Sequence, residues 1–480
     1  MNTPAVAQTW LGRATVGAFA AASIYAALFG ASLIPLCIHG DCGPGALPLE
    51  AAIWLYWLAA AALWMMLGAA AWTLHRRAPI AIPPDGDAPP QGRAVATAVI
   101  LTVALGVRLL VALTNTPQLS DDMYRYVHDG RTLARGQSPY AAAPQDVLGG
   151  LRAEAPLIER INHADLVTIY QPTSQAVFAS LAALQPVWDE PFGHTTFRFA
   201  FVLFDLLIIA ALLRRLAAEQ RSPWWVTLYA WHPLAISEVA GSGHQDVIGI
   251  FLLLLTMMVL SPSAANVSWP RVVLGAACFA AAVAVKPVVL PLAMPIAWSL
   301  RRQGWSVGLG LCVTVTVLVG LYVPVLYMED GISGLADTVE RFVTGWEHNS
   351  SAHAVLSEHL GRRLASSACA ALLGATLMAA MVAGCDIWRV AMIYMFAAIL
   401  LSTTAHPWYL LWALALVPLR FSVSVWMLSL TITWSYVVWR DVDAWHIPEW
   451  LKVMIYAPVY ALIAVELIRW RFRRSQSSGG

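Results

Sequence analysis

Apolar residues run through this chain in long unbroken stretches, not in alternation. Stretches of about 17 to 25 mainly apolar residues, each long enough to cross a hydrocarbon core of about 30 Å, recur along its whole length. Continuous runs select helices over the alternating strands of a barrel. The runs fall at 14–36, 50–74, 94–113, 195–213, 223–240, 245–260, 271–287, 288–300, 305–327, 366–384, 388–404, 406–419, 421–438 and 451–469. The pattern predicts an all-α, polytopic transmembrane bundle of about 14 spans. The runs at 271–287 and 288–300 are short, and Pro287, Pro291 and Pro295 break them, so tilted or half-spanning segments are expected there. Residues 170–187, YQPTSQAVFASLAALQPV, are apolar enough to compete as a span. Counting them would move Arg214 and Arg215 to the outer side, so they are read as an interfacial or re-entrant helix inside one long first outer loop, about 114–194.

Orientation follows the basic residues. His75-Arg76-Arg77, Arg214-Arg215, Arg301-Arg302, Arg420 and the tail RWRFRR over 469–474 should be cytoplasmic, which puts both termini inside. The Pro-rich stretch APIAIPPDGDAPPQGR over 78–93 then reads as a cytoplasmic linker. It divides residues 1–93, two leading helices plus linker, from a membrane domain over 94–480. Segments 328–365 and 439–450 should lie outside, and no short repeat is visible. The N-terminal MNTPAVAQTWLGR lacks a charged n-region and a cleavage site, so the first run reads as a retained span.

Composition agrees. Charged residues are only 12%, against about 25% in soluble domains. A net charge of +1 with no large basic patch gives no reason to expect nucleic acid. The six cysteines make no metal pattern: Cys278, Cys312, Cys369 and Cys385 sit in or beside apolar runs, while Cys37 and Cys42 in CIHGDC could form a small disulfide facing an oxidising compartment. Lysine occurs only at 286 and 452, which makes Lys286 conspicuous.

The expected topology collects the unusual polar residues at one level. Asp121 and Asp122 end the third span, His244, Gln245 and Asp246 occupy an outer turn, Lys286 closes an outward run and His406 opens an inward one. Ionisable groups at membrane depth are costly and usually face a cavity or a partner, so these four sites suggest a shared polar chamber under the outer surface. In SDDMYRYVHDGRTLARGQSPY, over 120–140, Ser120 is a good N-cap and the two carboxylates suit the first turn. Arg125 stands three and four residues from Asp122 and Asp121, and four from Asp129. Gly130 could interrupt the helix, and Gly136 with Pro139 should end it.

Two readings stand side by side: an ion-paired amphipathic helix on the membrane surface, or one carboxylate acting as a general base with Arg125 holding the pair. Plainer roles exist elsewhere as well. His244 and Asp246 could cap a turn after Gly241 and Gly243, Lys286 could snorkel, and His406-Pro407 could open a span with Trp408 and Tyr409 in the aromatic belt. Arg108, inside a span, should pair with an acid such as Glu238 or reach the chamber. Asp121, Asp122 and His244 could also hold a divalent metal, although no ligand spacing demands one.

Five stretches carry a family resemblance: SDDMYRYVHDGR with the following G and PY, IYQPTSQAVF (169–178), LYAWHPLAISEVAGSGHQD (228–246), AVKPVVLP (284–291) and AHPWYLLW (405–412). In this order they resemble the GT-C superfamily of polytopic glycosyltransferases, most closely the polyprenol-phosphate-mannose-dependent α-mannosyltransferases. The resemblance implies a GT-C-like fold in a bacterial plasma membrane. A polyprenyl-phosphate sugar, mannose or another hexose or pentose, would be the donor, and a glycan, lipid or protein the acceptor. Transfer would take place on the outer, periplasmic face with inversion. An acid of the first large outer loop would be the base, a role falling on Asp121 or Asp122, with Asp121 slightly favoured. Donor contacts would come from Arg125, Tyr126, Asp129, Arg131, Tyr170, His244, Gln245, Asp246, Lys286, His406 and Tyr409. Many members carry the acidic pair after the first span; here it follows the third, which leaves the role of residues 1–93 open. A transporter or flippase of a lipid-linked sugar is the alternative, but it calls for midplane charges and repeated halves.

Overall fold

A computed structural model describes residues 49–77, 90–114, 119–147, 155–189, 192–260, 268–304, 307–440 and 445–477. The expected span at 14–36, the Cys37–Cys42 loop and most of the Pro-rich linker lie outside the described residues. Among the described residues there is no strand, and one isolated bridge pairs His348 with Thr404. Five helices are long and apolar enough to cross a membrane: Gly92–Leu113, His194–Ala218, Val307–Tyr327, Arg362–Val382 and Glu449–Phe472. Apolar side chains such as Leu311, Val315, Val319 and Leu326 stand on the outside of Val307–Tyr327, the pattern of a helix whose solvent is lipid.

The count of about 14 spans is not confirmed, and the sequence supplies the reason. The run at 223–240 breaks into Pro223–Val226, Thr227–Ala230, Pro233–Ile236 and a π turn, Ser237–Gly241. Pro223 and Pro233 each start a new turn because a proline ring fits a first helical position and not an interior one. Pro287 and Pro291 likewise turn 287–292 into a 3-10 segment before helix Ala293–Arg302, as their spacing predicts. The run at 406–419 shrinks to the turns Pro407–Leu410 and Leu411–Leu414. Helix Pro172–Leu184 fits the expected interfacial segment: its 13 residues span about 20 Å, too short to cross.

The chain forms two compact units. One draws on Met1–Val103, Arg221–Leu234 and Glu347–Gly480, the other on Ala104–Gln220 and Ala235–Trp346. In the first, helix Leu49–Arg77 packs on the C-terminal helices, with Trp57 Nε1 donating to the Thr433 carbonyl at 3.0 Å and Trp64 Nε1 to the Trp426 carbonyl at 2.8 Å. Trp64 and Trp426 also stack at 5.6 Å.

In the second unit, helix Asp122–Ala134 packs along Pro172–Leu184 and touches His194–Ala218. Every residue from Met123 to Arg131 is buried, so the surface-helix reading does not hold: no face is left for water. Gly130 does not interrupt this helix. A Cβ there would lie 2.4 Å from the Phe178 carbonyl oxygen, so the missing side chain lets the two helices close up. Tyr126 stacks on Phe178 at 4.8 Å beside this contact. Arg108 and Asp205, both fully buried, form an ion pair between their two long helices. Arg108 thus pairs with an acid as expected, and that acid is Asp205.

Candidate active site

The acidic pair enters its helix one residue later than expected. Asp121 is the N-cap residue, with no capping bond from its side chain, and Asp122 is the first helical residue, its amide 3.3 Å from the Ser120 hydroxyl. Asp122 has a neighbour at each oxygen: Oδ1 accepts from Asn162 Nδ2 at 3.1 Å, and Oδ2 faces His244 Nδ1 at 3.7 Å, beyond hydrogen-bond length. The opposite nitrogen of that ring, Nε2, is 3.3 Å from Glu238 Oε2. His244 and Glu238 are 0% exposed, while the Asp122 side chain keeps 19%.

The segment SEVAGSGHQD builds this arrangement through its backbone. The π turn Ser237–Gly241 closes with the Ser242 amide on the Ser237 carbonyl at 2.8 Å, and the His244 amide returns to the Glu238 carbonyl at 2.9 Å. Gly243 makes the bend with φ +74, where a Cβ would run into Met123 and Arg198. A helix then restarts at Asp246. Beside it, Asp246 Oδ1 accepts from Lys286 Nζ at 2.7 Å, with Lys286 25% exposed. Gln245 Oε1 accepts from the Ser174 hydroxyl at 2.8 Å, and the Thr173 amide donates to the Ala284 carbonyl at 3.0 Å. The first turn of Pro172–Leu184, the GHQD turn and the AVKP stretch therefore meet in one place.

The structure sorts the remaining candidates. Arg125 does not clamp the carboxylates: its guanidinium donates to the His163 and Leu166 carbonyls at 2.7 and 2.8 Å, tying down the loop that supplies Asn162. Asp129 accepts from Gln175 Nε2 at 3.1 Å and Arg131 donates to Gln185 Oε1 at 3.0 Å, so both hold the helix pair together. Tyr126 is buried between Tyr170 and Phe178, and burial pushes its hydroxyl well above the usual tyrosine range. The Tyr170 carbonyl accepts from the Tyr140 hydroxyl at 2.9 Å.

His406 and Tyr409 belong to the first unit. There His406 stacks on Trp408 at 4.2 Å and on His348 at 4.6 Å, with Tyr409 edge-on at 5.4 Å. Burial, helped by Lys452, holds the His348 imidazole down to about 4. Sequence reading missed Asn162 and the Glu238–His244 contact. The visible signal for the latter was a carboxylate inside an apolar run, six residues before a histidine.

Among the described residues no group of three or more His, Cys, Asp or Glu side chains is arranged to hold a metal ion. What the site offers is a partly open carboxylate held by an amide and facing an imidazole, with a lysine ammonium in the adjoining turn. Such a group can take a proton from a hydroxyl, and the ammonium can meet an anion. No curated protein and no solved structure matches the chain. A family model described as alpha-(1->6)-mannopyranosyltransferase, N-terminal domain, MptA_B family, matches residues 13–302, a stretch that contains every site residue from Asp121 to Lys286. The chain is a member of the MptA_B family of alpha-(1->6)-mannopyranosyltransferases.

Proposed function

We propose that this membrane mannosyltransferase transfers mannose from a polyprenyl-phosphate donor to the primary 6-hydroxyl of a mannosyl acceptor on the outer face of a bacterial plasma membrane. The family description supports the sugar and the linkage. The resemblance in the first outer loop supports the lipid-phosphate donor and the outer face. One observation carries the chemistry: Asp122 is anchored at one oxygen by Asn162, faces the His244 ring with the other and stays partly open, as suits a general base.

Asp122 accepts the proton of the acceptor hydroxyl as that oxygen bonds to C1 of mannose. The bond from C1 to the phosphate oxygen breaks with its electron pair on the departing polyprenyl phosphate. Attack opposite the leaving group inverts C1, so a β-linked donor yields the α product. The leaving phosphate gains a negative charge, and Lys286 is the cation proposed to meet it, exchanging part of its contact with Asp246. Arg125 and Arg131 keep the loop and the helix pair in place.

The test is incubation of the purified protein with a panel of polyprenyl-phosphate sugars and a mannosyl acceptor, reading released polyprenyl phosphate. Release with β-linked mannose and no other sugar is the expected result. Release with a pentose alone, or with none of the panel, contradicts the proposal.

A further inference from the structure

Glu238 has no part in the reaction just described, yet it is fully buried against the residue that holds the base. The His244 ring faces a carboxylate through each nitrogen, Nε2 at 3.3 Å from Glu238 and Nδ1 at 3.7 Å from Asp122. The partner of one ring nitrogen fixes how the other is presented.

The backbone is shaped for this contact. In a regular helix, residues six apart point about 120° away from each other and lie about 9 Å apart along the axis. The π turn Ser237–Gly241 and the left-handed Gly243 bend the chain so that residue 244 comes back over residue 238. π turns are rare and concentrate at functional sites. Arg198, itself buried, donates to the Gly241 carbonyl at 3.3 Å and braces the turn. Asp122 alone of the three acid and imidazole groups keeps an open side.

We propose that Glu238 is a positioning residue: it sets the orientation of His244, which in turn aims the Asp122 carboxylate at the acceptor hydroxyl. The role rests on the assignment of Asp122 as base.

The experiment measures kcat and KM for polyprenyl-phosphate mannose in the full-length wild type, Glu238→Gln, His244→Gln, the double variant and Asp122→Asn. Glu238→Gln should lower kcat about 10- to 100-fold, the range seen when an outer partner of an aligned group is lost. The donor KM should stay near wild type, because alignment of the base acts on the transition state and not on donor binding. In the His244→Gln background the same change should cost nothing further, since the path from Glu238 to Asp122 is already cut. Wild-type kcat in Glu238→Gln, or losses that multiply in the double variant, would overturn the role of Glu238. If Glu238→Gln does not fold, Glu238→Asp keeps the charge but withdraws the carboxylate by one methylene; reduced kcat at unchanged KM is then expected, and wild-type kcat overturns the proposal. Full activity in Asp122→Asn removes the base assignment itself, whereas an inactive Asp122→Asn beside a fully active Glu238→Gln removes only the positioning role.

Discussion

Arg125 shows how one side chain can carry a site without touching it. Its two donated bonds reach the carbonyls of His163 and Leu166, both just after the Asn162 that holds Asp122. Charge-assisted hydrogen bonds are each worth about 1.5–3 kcal/mol. Arg125→Ala should therefore destabilise the loop by about 3–6 kcal/mol and lower transfer through a misplaced Asn162. Arg125→Lys, which lacks the planar fork, should restore little of either. Thermal melting in detergent beside the transfer assay checks both outcomes.

His348 makes a second prediction at this scale. Burial holds its imidazole down to about 4, so the folded protein favours the neutral ring while an exposed histidine titrates near about 6.5. A depressed histidine leaves stability intact above about pH 6.5 and removes it as pH falls toward 4. The loss should approach about 3 kcal/mol, and His348→Gln should flatten the acid side of a melting-temperature profile. An unchanged profile would mean that other groups set the acid limit.

At the level of elements, contact between Asp122–Ala134 and Pro172–Leu184 depends on a position with no side chain. Gly130→Ala places a Cβ against the Phe178 backbone carbonyl, which cannot swing aside as a side-chain tip can. Overpacking of this kind costs about 1–3 kcal/mol, and transfer should fall with stability because the proposed base, Asp122, sits at the start of the same helix. Gly136→Ala, with open space around it but φ +78, should cost only backbone strain of about 1 kcal/mol.

The elements also show where periodicity stops being informative. Hydropathy marks Val307–Tyr327 and Arg362–Val382 well, since helices facing lipid need only be apolar all round. It overstates 223–240 and 406–419, where prolines and a π turn break runs that remain buried in protein. An apolar run records burial, not shape, and freed backbone groups are tolerated wherever neighbouring protein covers them. The acidic pair, the GHQD turn and Lys286 were legible because polar residues stand out against apolar sequence. The partners of Arg125 and Arg108 were not, because spacing along a helix reports neighbours on that helix alone. Asp205 and the carbonyls near residue 163 reach these arginines from other segments.

On the scale of the whole molecule, the Arg108–Asp205 pair ties two of the five long apolar helices together at a depth where neither charge meets water. Removing one partner of such a buried pair strands the other, at a cost of about 3–5 kcal/mol. Arg108→Ala or Asp205→Ala alone should abolish stable expression, and an apolar double replacement should recover part of it. The positive-inside pattern further predicts that a cysteine at 121 reacts with an impermeant reagent from outside the cell and one at 301 does not. Labelling of both positions from one side would remove the proposed outer site.

The central claim is that a family member with this fold uses Asp122, held by Asn162 and His244, to take the acceptor proton. The most direct measurement is release of polyprenyl phosphate from β-linked polyprenyl-phosphate mannose by purified Asp121→Asn and Asp122→Asn variants of matched thermal stability. Loss of a general base costs about 10²- to 10⁴-fold, so Asp122→Asn should fall by that factor while Asp121→Asn keeps most of its activity. Wild-type release by Asp122→Asn would contradict the account.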